Sequence, residues 1–279
     1  MRAPRKSSGS SLRVRFSADR PSEAHSGWYA AFAARYDDLY RSPERVRFAA
    51  PFLDGILRRH APGIDVLDVA CGTFSMDVPL LARGYHIVGR DLSPAMVAHA
   101  RRALRSSRRR ADVRRADMRT LDLGRTFDAV LCLGTAFNYL VEPTEIRATV
   151  GVFKKHLHSR GILILDLTNF EAWIRNPMNA RAEVDETFPD GVRVTVFGLN
   201  DQDLRRRIHS ARFITAVKRG RRLDLRFSEA PLRIWRKEDL GGLLRRSGFS
   251  ILGWWGDLRI GRSYDPRTSS RLVAVAVRR

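Results

Sequence analysis

The chain has 279 residues, 44% hydrophobic and 29% charged, ordinary values for a globular protein that exclude wholesale disorder and fibrous repeats. Fifty-one basic against 30 acidic residues give a formal charge of +21, carried almost wholly by arginine, with lysine only at 6, 154, 155, 218 and 237. Such a field draws anions, or reflects a coding bias toward arginine; either way it bears on association and not on fold.

Residues 1–26 combine Ser, Gly, Arg and Pro without apolar periodicity and read as a basic flexible tail. Trp28, Phe32, Tyr36 and Tyr40 then recur every four residues, which predicts a helix with an aromatic stripe. A second helix is expected over about 44–60, led by Pro43 and stopped by Pro62-Gly63. Strands and helices alternate from there. Strands are expected at Ile64–Val69, Tyr85–Gly89, Asp112–Arg115, Phe127–Leu133 and Gly161–Leu167. Helices are expected at Ser75–Arg83, ended by Gly84, at Ser93–Arg105, with Ser93 as N-cap and Pro94 at the first helical position, and at Glu145–His158. This rhythm implies βαβ units, an α/β class and a parallel sheet covered on both faces.

Past Asn169 the period changes to two. Val192, Val194 and Val196 alternate with Arg193, Thr195 and Phe197, and similar stretches lie near Arg207–Val217 and Leu223–Trp235. Residues 170–235 therefore read as an inserted antiparallel β unit, a lid or an oligomer interface. Lys237–Ser247 returns to helix, and Phe249–Trp255 and Leu272–Val277 close the chain as strands.

No run of 18 apolar residues occurs, so no membrane span is expected, and the basic N-terminus lacks the apolar run of a secretory signal. Cys71 and Cys132 are too few for a disulfide framework or a metal site, and a cytoplasmic setting is expected.

The chemistry concentrates at Val66-Leu67-Asp68-Val69-Ala70-Cys71-Gly72-Thr73: an apolar strand ends in an acid and turns through small residues toward a helix. Ligands of open α/β sheets bind at such carboxyl ends, and a glycine there admits close approach. The next strand ends at Gly89-Arg90-Asp91, about 20 residues on, where a carboxylate can accept two hydrogen bonds from ribose hydroxyls. A nucleoside ligand is implied. The G-x-G-x-x-G fingerprint of dinucleotide sites is absent, since Gly72 is followed by Thr73, Phe74 and Ser75.

Residues 36–168 resemble class I S-adenosylmethionine-dependent methyltransferases. The resemblance is carried by Tyr36-Asp37-Asp38-Leu39-Tyr40, Leu67–Thr73, Asp91-Leu92-Ser93-Pro94-Ala95-Met96, Ala116-Asp117-Met118-Arg119 and Phe127–Leu140. By pattern it is nearest to bacterial small-molecule methyltransferases, including N,N-dimethyltransferases of nucleotide-linked amino sugars, and it extends over about 28–279. It implies a Rossmann-like, seven-stranded, mostly parallel sheet with helices on both faces. The cofactor core would span 27–169, and residues 236–279 would complete the sheet after the insert.

The resemblance further implies S-adenosylmethionine as cofactor. Asp68, Ala70, Cys71 and Gly72 would line its methionine end, and Asp91 would hold the ribose. Leu92 and Met96 would pack near the nucleoside, and Asp117 would accept from the adenine amino group with Met118 against the ring. Cys132 and Leu133 would floor the site. Asp68 and the aromatic Tyr36 and Tyr40 can offset the sulfonium charge. Tyr139, in the loop after the fourth strand, would orient the methyl acceptor, and Tyr40 is a second catalytic candidate. The acceptor is expected to be a small molecule, which the basic balance would allow to be anionic, and a homodimer is expected.

Phe74 departs from the family, which carries glycine there. Its ring either packs under the loop or narrows the methionine pocket. The second case would suit transfer or cyclisation of the aminocarboxypropyl chain in place of methylation. A nucleic-acid methyltransferase is the other alternative, but Leu133-Gly134-Thr135-Ala136-Phe137 lacks the Asn/Asp-Pro-Pro-aromatic run of base-amino methylases, and Cys132 follows Leu131 rather than the proline of a Pro-Cys nucleophile.

Overall fold

Short apolar runs between amphipathic helices can bury both strand faces only in a parallel sheet with helices on either side. The computed structural model, which describes residues 13–18, 36–40, 43–175 and 180–279, has that arrangement. Trp28 and Phe32 lie outside the described residues.

Two helices, α1 (Tyr36–Tyr40) and α2 (Pro43–His60), precede the sheet. Its first five strands in chain order are β2 (Asp65–Asp68), β3 (His86–Asp91), β4 (Asp112–Arg115), β5 (Phe127–Cys132) and β6 (Leu157–Thr168). Helices α3 (Val78–Leu81), α4 (Pro94–Ser106) and α5 (Pro143–Lys155) connect them. After the insert, α7 (Lys237–Arg246) leads to β11 (Phe249–Trp255) and β12 (Arg271–Arg278). The seven strands lie in the order β11-β12-β6-β5-β2-β3-β4. The pairs among β2 to β6 are parallel, and β12 is antiparallel to β6.

Two buried clusters fill the two faces. Leu53, Leu57 and Leu80 belong to one, and Phe137, Phe153 and Leu244 to the other. The chain leaves β2 toward β3 on one side and returns on the other side at β5. Strand order reverses there, which opens a crevice beyond the carboxyl ends of β2 and β5.

The expected α4 cap is present: Ser93 accepts from the Met96 amide and Pro94 opens the helix. The helix expected over 75–83 shrinks to Val78–Leu81. Phe74 carbonyl accepts from the Asp77 and Val78 amides in a tight turn, and Pro79, which lacks a donor, sits in the first helical turn.

The insert is a second sheet with the order β1-β10-β9-β8-β7. Its strands are β7 (Ala180–Thr187), β8 (Arg193–Asp203), β9 (Ile208–Arg219) and β10 (Arg222–Arg233), reached from β6 through α6 (Glu171–Arg175). The edge strand β1 (Arg13–Ala18) pairs parallel with β10. This corrects part of the tail reading: alternating Val14 and Phe16 suit a strand, but only a distant partner strand reveals it. Asn138 clasps the two sheets: its buried amide donates to Arg233 carbonyl at 2.9 Å and accepts from the Thr168 amide at 3.1 Å.

Candidate active site

Asp68 closes β2, and its Oδ1 accepts from the Ala70 amide at 2.9 Å, which turns the chain sharply. Gly72 follows at φ 54°, a left-handed value that glycine takes without strain. Its amide donates to Asp91 Oδ2 at 2.8 Å, and the Ser93 amide donates to Asp91 Oδ1 at 2.8 Å. One carboxylate thus joins the ends of β2 and β3. A carboxylate offers about four acceptor sites, more than these two amides use. A Cβ placed on Gly72 would meet nothing within 4 Å, so the loop faces open space. Thr73 Oγ1 donates to Asp37 Oδ1 at 2.5 Å, which ties α1 to the loop.

Phe74 holds φ 69° and is fully buried. Its ring lies against β3: a Cβ on Gly89 would stand 2.7 Å from Phe74 Cε2 and 3.0 Å from Cys71 Sγ. The aromatic side chain therefore turns into the core and away from the loop surface. Cys71, Met96, Cys132 and Leu133 are likewise buried beneath the site. Burial, then the carboxylates of Asp68 and Asp91, pushes the Cys71 thiol well up, and burial does the same for Cys132. Ala70 is half-buried, Leu92 is 39% exposed, and Met118 sits with its sulfur 3.9 Å from Cys132 Sγ.

Asp117 is held by Arg119, whose Nη2 donates to Oδ2 at 2.7 Å and whose amide donates to Oδ1 at 2.9 Å. Arg119 also bonds Glu145, so the adenine candidate is part of an ion-pair chain.

Beyond β5 the backbone turns through Gly134 and Thr135, both left-handed at φ 70° and 78°. Asp166, fully buried in β6, accepts from the Gly134 amide at 3.0 Å and from Arg271 Nε at 2.7 Å. Arg271 Nη1 donates to the Thr135 and Thr168 hydroxyls at 2.9 Å each, and Arg45 lies 3.6 Å from the same carboxylate. Burial alone would raise the Asp166 carboxyl, but Arg271 and Arg45 hold it below the ordinary carboxylate range.

This loop floors a cavity of about 600 Å³ between the core sheet and the insert sheet. Tyr36 and Tyr139 line it, with Phe170, Trp173 and Phe213 as apolar walls and Arg45, Arg259 and Arg271 as cations. The insert contributes Glu183, Asn200 and His209. His209 stacks on Phe170 at 4.1 Å between centroids and has the Gln202 amide 3.4 Å from Nδ1. Asp68, Asp91 and Asp117, at or just past the ends of β2, β3 and β4, are not in the lining; the cavity holds the acceptor candidate Tyr139 and Tyr36, whose neighbour Asp37 is tied to Thr73 of the loop after β2. The side chain of Tyr40, the second catalytic candidate, lies outside the described residues.

Asp166, Glu183 and His209 are not singled out by the sequence, and Arg271, which shares the family resemblance as part of Ser270-Arg271-Leu272, takes no role from it. Asp166 carries a signal, a lone acid in an otherwise apolar strand, which needs a buried partner. The inward positions of β8 carry another, running Val194, Val196, Gly198, Asn200, Gln202 from apolar to polar. Where that polar end lands depends on the insert folding over the core, which no local pattern reveals.

Among known proteins, residues 66–161 match the family model described as a methyltransferase domain. A glycine/sarcosine N-methyltransferase of Parasynechococcus marenigrum is 35% identical over 145 residues, 50% of each chain. A dTDP-3-amino-3,4,6-trideoxy-alpha-D-glucopyranose N,N-dimethyltransferase of Streptomyces venezuelae is 29% identical over 70% of this chain and 74% of its own. The chain spans about half the length of the glycine/sarcosine relative. The solved structure of a sugar N-methyltransferase from Streptoalloteichus sp ATCC 53650 superposes with a TM-score of 0.69 at 25% identity, covering 88% of this chain and 92% of that one. The Rossmann-like sheet and the family resemblance are thereby borne out.

Proposed function

We propose, on the premise that residues 66–161 are a methyltransferase domain, that the chain is an S-adenosylmethionine-dependent N-methyltransferase of a small molecule. The observation that carries this reading is the Asp91 clasp on Gly72 beside the open face of that loop, together with a cavity whose lining includes Tyr36, the neighbour of the Asp37 that bonds Thr73 in the same loop. The residues suit the cofactor: Asp91 is oriented by two amides, and the exposed Leu92 beside it is apolar surface for a nucleoside to cover. When bound, the cofactor would supply an activated methyl group to the acceptor nitrogen, which gives up a proton in exchange.

Asp91 binds the ribose, while Asp68 and Tyr36 offset positive charge at the methionine end. Ala70, Gly72 and the buried Cys71 shape that end through their backbone, and Asp117 and Met118 meet the adenine. Met96, Cys132 and Leu133 support the site from below. Tyr139 orients the acceptor by its hydroxyl. Alignment supplies most of the rate in an in-line displacement, so no strong base is required. Calorimetry tests the reading: Asp91→Ala should weaken S-adenosylmethionine binding by about 2–4 kcal/mol, through two lost hydrogen bonds to a charged acceptor. Unchanged affinity contradicts the ribose role.

The relatives named for amino sugars, glycine and sarcosine support an amine acceptor over a nucleic acid. Arg45 and Arg259 in the lining support an acceptor that also bears an anionic group. A homodimer is supported by the outer face of the insert, where Phe197, Ile214 and Phe227 pair across three strands at 48%, 39% and 42% exposure. Among the described residues no helix is long and apolar enough to cross a membrane, and two buried free thiols suit the proposed cytoplasmic setting.

A further inference from the structure

In a regular strand, successive side chains point to opposite faces. β7 breaks this rule at one place. Ala182 pairs with Phe197 and Val184 with Val196, so Glu183 is an extra residue, a β-bulge. Ala182 is exposed and Val184 is buried among Val194, Val196 and Val217. Glu183, between them, also turns inward and lines the cavity. Bulges recur next to active sites because they re-aim a side chain.

The opposite strand has made room for it. A Cβ on Gly198 would stand 2.6 Å from Glu183 Oε1 and 3.0 Å from its Cγ. Gly198 has no left-handed backbone to explain its presence, so close approach of the carboxylate is the reason for a glycine in the middle of a strand. A carboxylate that shares the cavity lining with Trp173, Phe213 and Tyr139 meets the needs of a neutral amine whose nitrogen turns cationic as it is methylated: an N–H donated to the carboxylate, and aromatic faces for the growing charge.

We infer that Glu183 binds the acceptor amine, and that the bulge in β7 with Gly198 in β8 is the device that delivers it from the insert. This rests on the methyltransferase reading and deepens it, since positive charge builds on the acceptor nitrogen as the N–C bond forms. A fixed carboxylate on that side favours the transition state over the reactants. It also selects amines, whose nitrogen is left cationic by the transfer until its proton leaves, over alcohols, which lose their proton as they attack and develop no lasting positive charge.

Calorimetry on the full chain loaded with S-adenosylhomocysteine tests this, with two probes: dTDP-3-amino-3,6-dideoxy-alpha-D-glucopyranose and sarcosine. At least one should bind. Glu183→Gln, which keeps the shape, and Gly198→Ala, which displaces the carboxylate, should each weaken it about tenfold or more. Glu183→Asp should recover part of the loss, and S-adenosylhomocysteine affinity should stay unchanged throughout. Binding of neither amine, or amine affinity untouched in both variants, overturns the role of Glu183. Failure of S-adenosylhomocysteine to bind the wild type overturns the methyltransferase reading instead.

Discussion

Phe74 occupies a backbone conformation that costs an L-residue on the order of 1 kcal/mol, and it does so with its ring fully buried. Truncating a buried Phe costs about 3–5 kcal/mol, and glycine recovers the left-handed penalty, so Phe74→Gly should lose about 2–4 kcal/mol of stability. Cofactor affinity should stay nearly constant, because the ring points away from the loop surface; denaturant melts and calorimetry read the two separately. A large gain in affinity would mean that the ring narrows the methionine end. Asp166 gives a second residue-scale outcome. Its folded pKa lies below the ordinary value, so its stabilisation is present above the unfolded pKa and is lost as pH falls through the folded one. Asp166→Asn strands the buried Arg271 charge and should cost about 3–5 kcal/mol near neutral pH. The melting difference from wild type should shrink as pH falls below the ordinary carboxylate range of about 4 toward the lower folded pKa; a difference constant down to strong acid would show that charge is not the cause.

At the scale of elements, β3 and the loop after β2 are fitted to one another through Gly89 and Phe74. Gly89→Ala should cost about 1–3 kcal/mol by overpacking, and less in a Phe74→Leu background. Additive losses in that double-mutant cycle would deny the contact. The same loop shows what the sequence discloses. Asp68, Gly72 and Asp91 were legible because strand ends and loop spacing are local, and Ser93-Pro94 capped its helix as the residue types dictate. Packing of Phe74 under the loop is one of two readings its residue type allows; its φ and its partner Gly89, set by a neighbouring strand, decide for that one. The period-two stretches of β8 to β10 were visible, whereas β1 and β7 were not assigned. An edge strand takes its identity from what it pairs with, and the alternate positions Ala180, Ala182 and Val184 of β7 carry a single bulky apolar residue, a weak local signal. The cavity residues Glu183, Asn200 and His209 come together only through the stacking of one sheet over another.

At the scale of the whole molecule, the +21 charge is partly structural. Arg101 donates to Val113 carbonyl, Arg109 to Leu81 and Arg115 to Leu92, so several members of the arginine run in and after α4 cover carbonyls. The outer row of the insert is the proposed dimer surface. Ile214→Glu, set between Phe197 and Phe227, should convert a dimer to a monomer in light scattering while S-adenosylhomocysteine affinity persists. A wild-type monomer would refute the interface. The measurement that bears most directly on the whole account is mass spectrometry of the products formed from S-adenosylmethionine and an amine acceptor. Methyl transfer predicts S-adenosylhomocysteine together with an acceptor heavier by one methylene. Methylthioadenosine released faster than it forms spontaneously would show that the aminocarboxypropyl chain is used, and would contradict methylation.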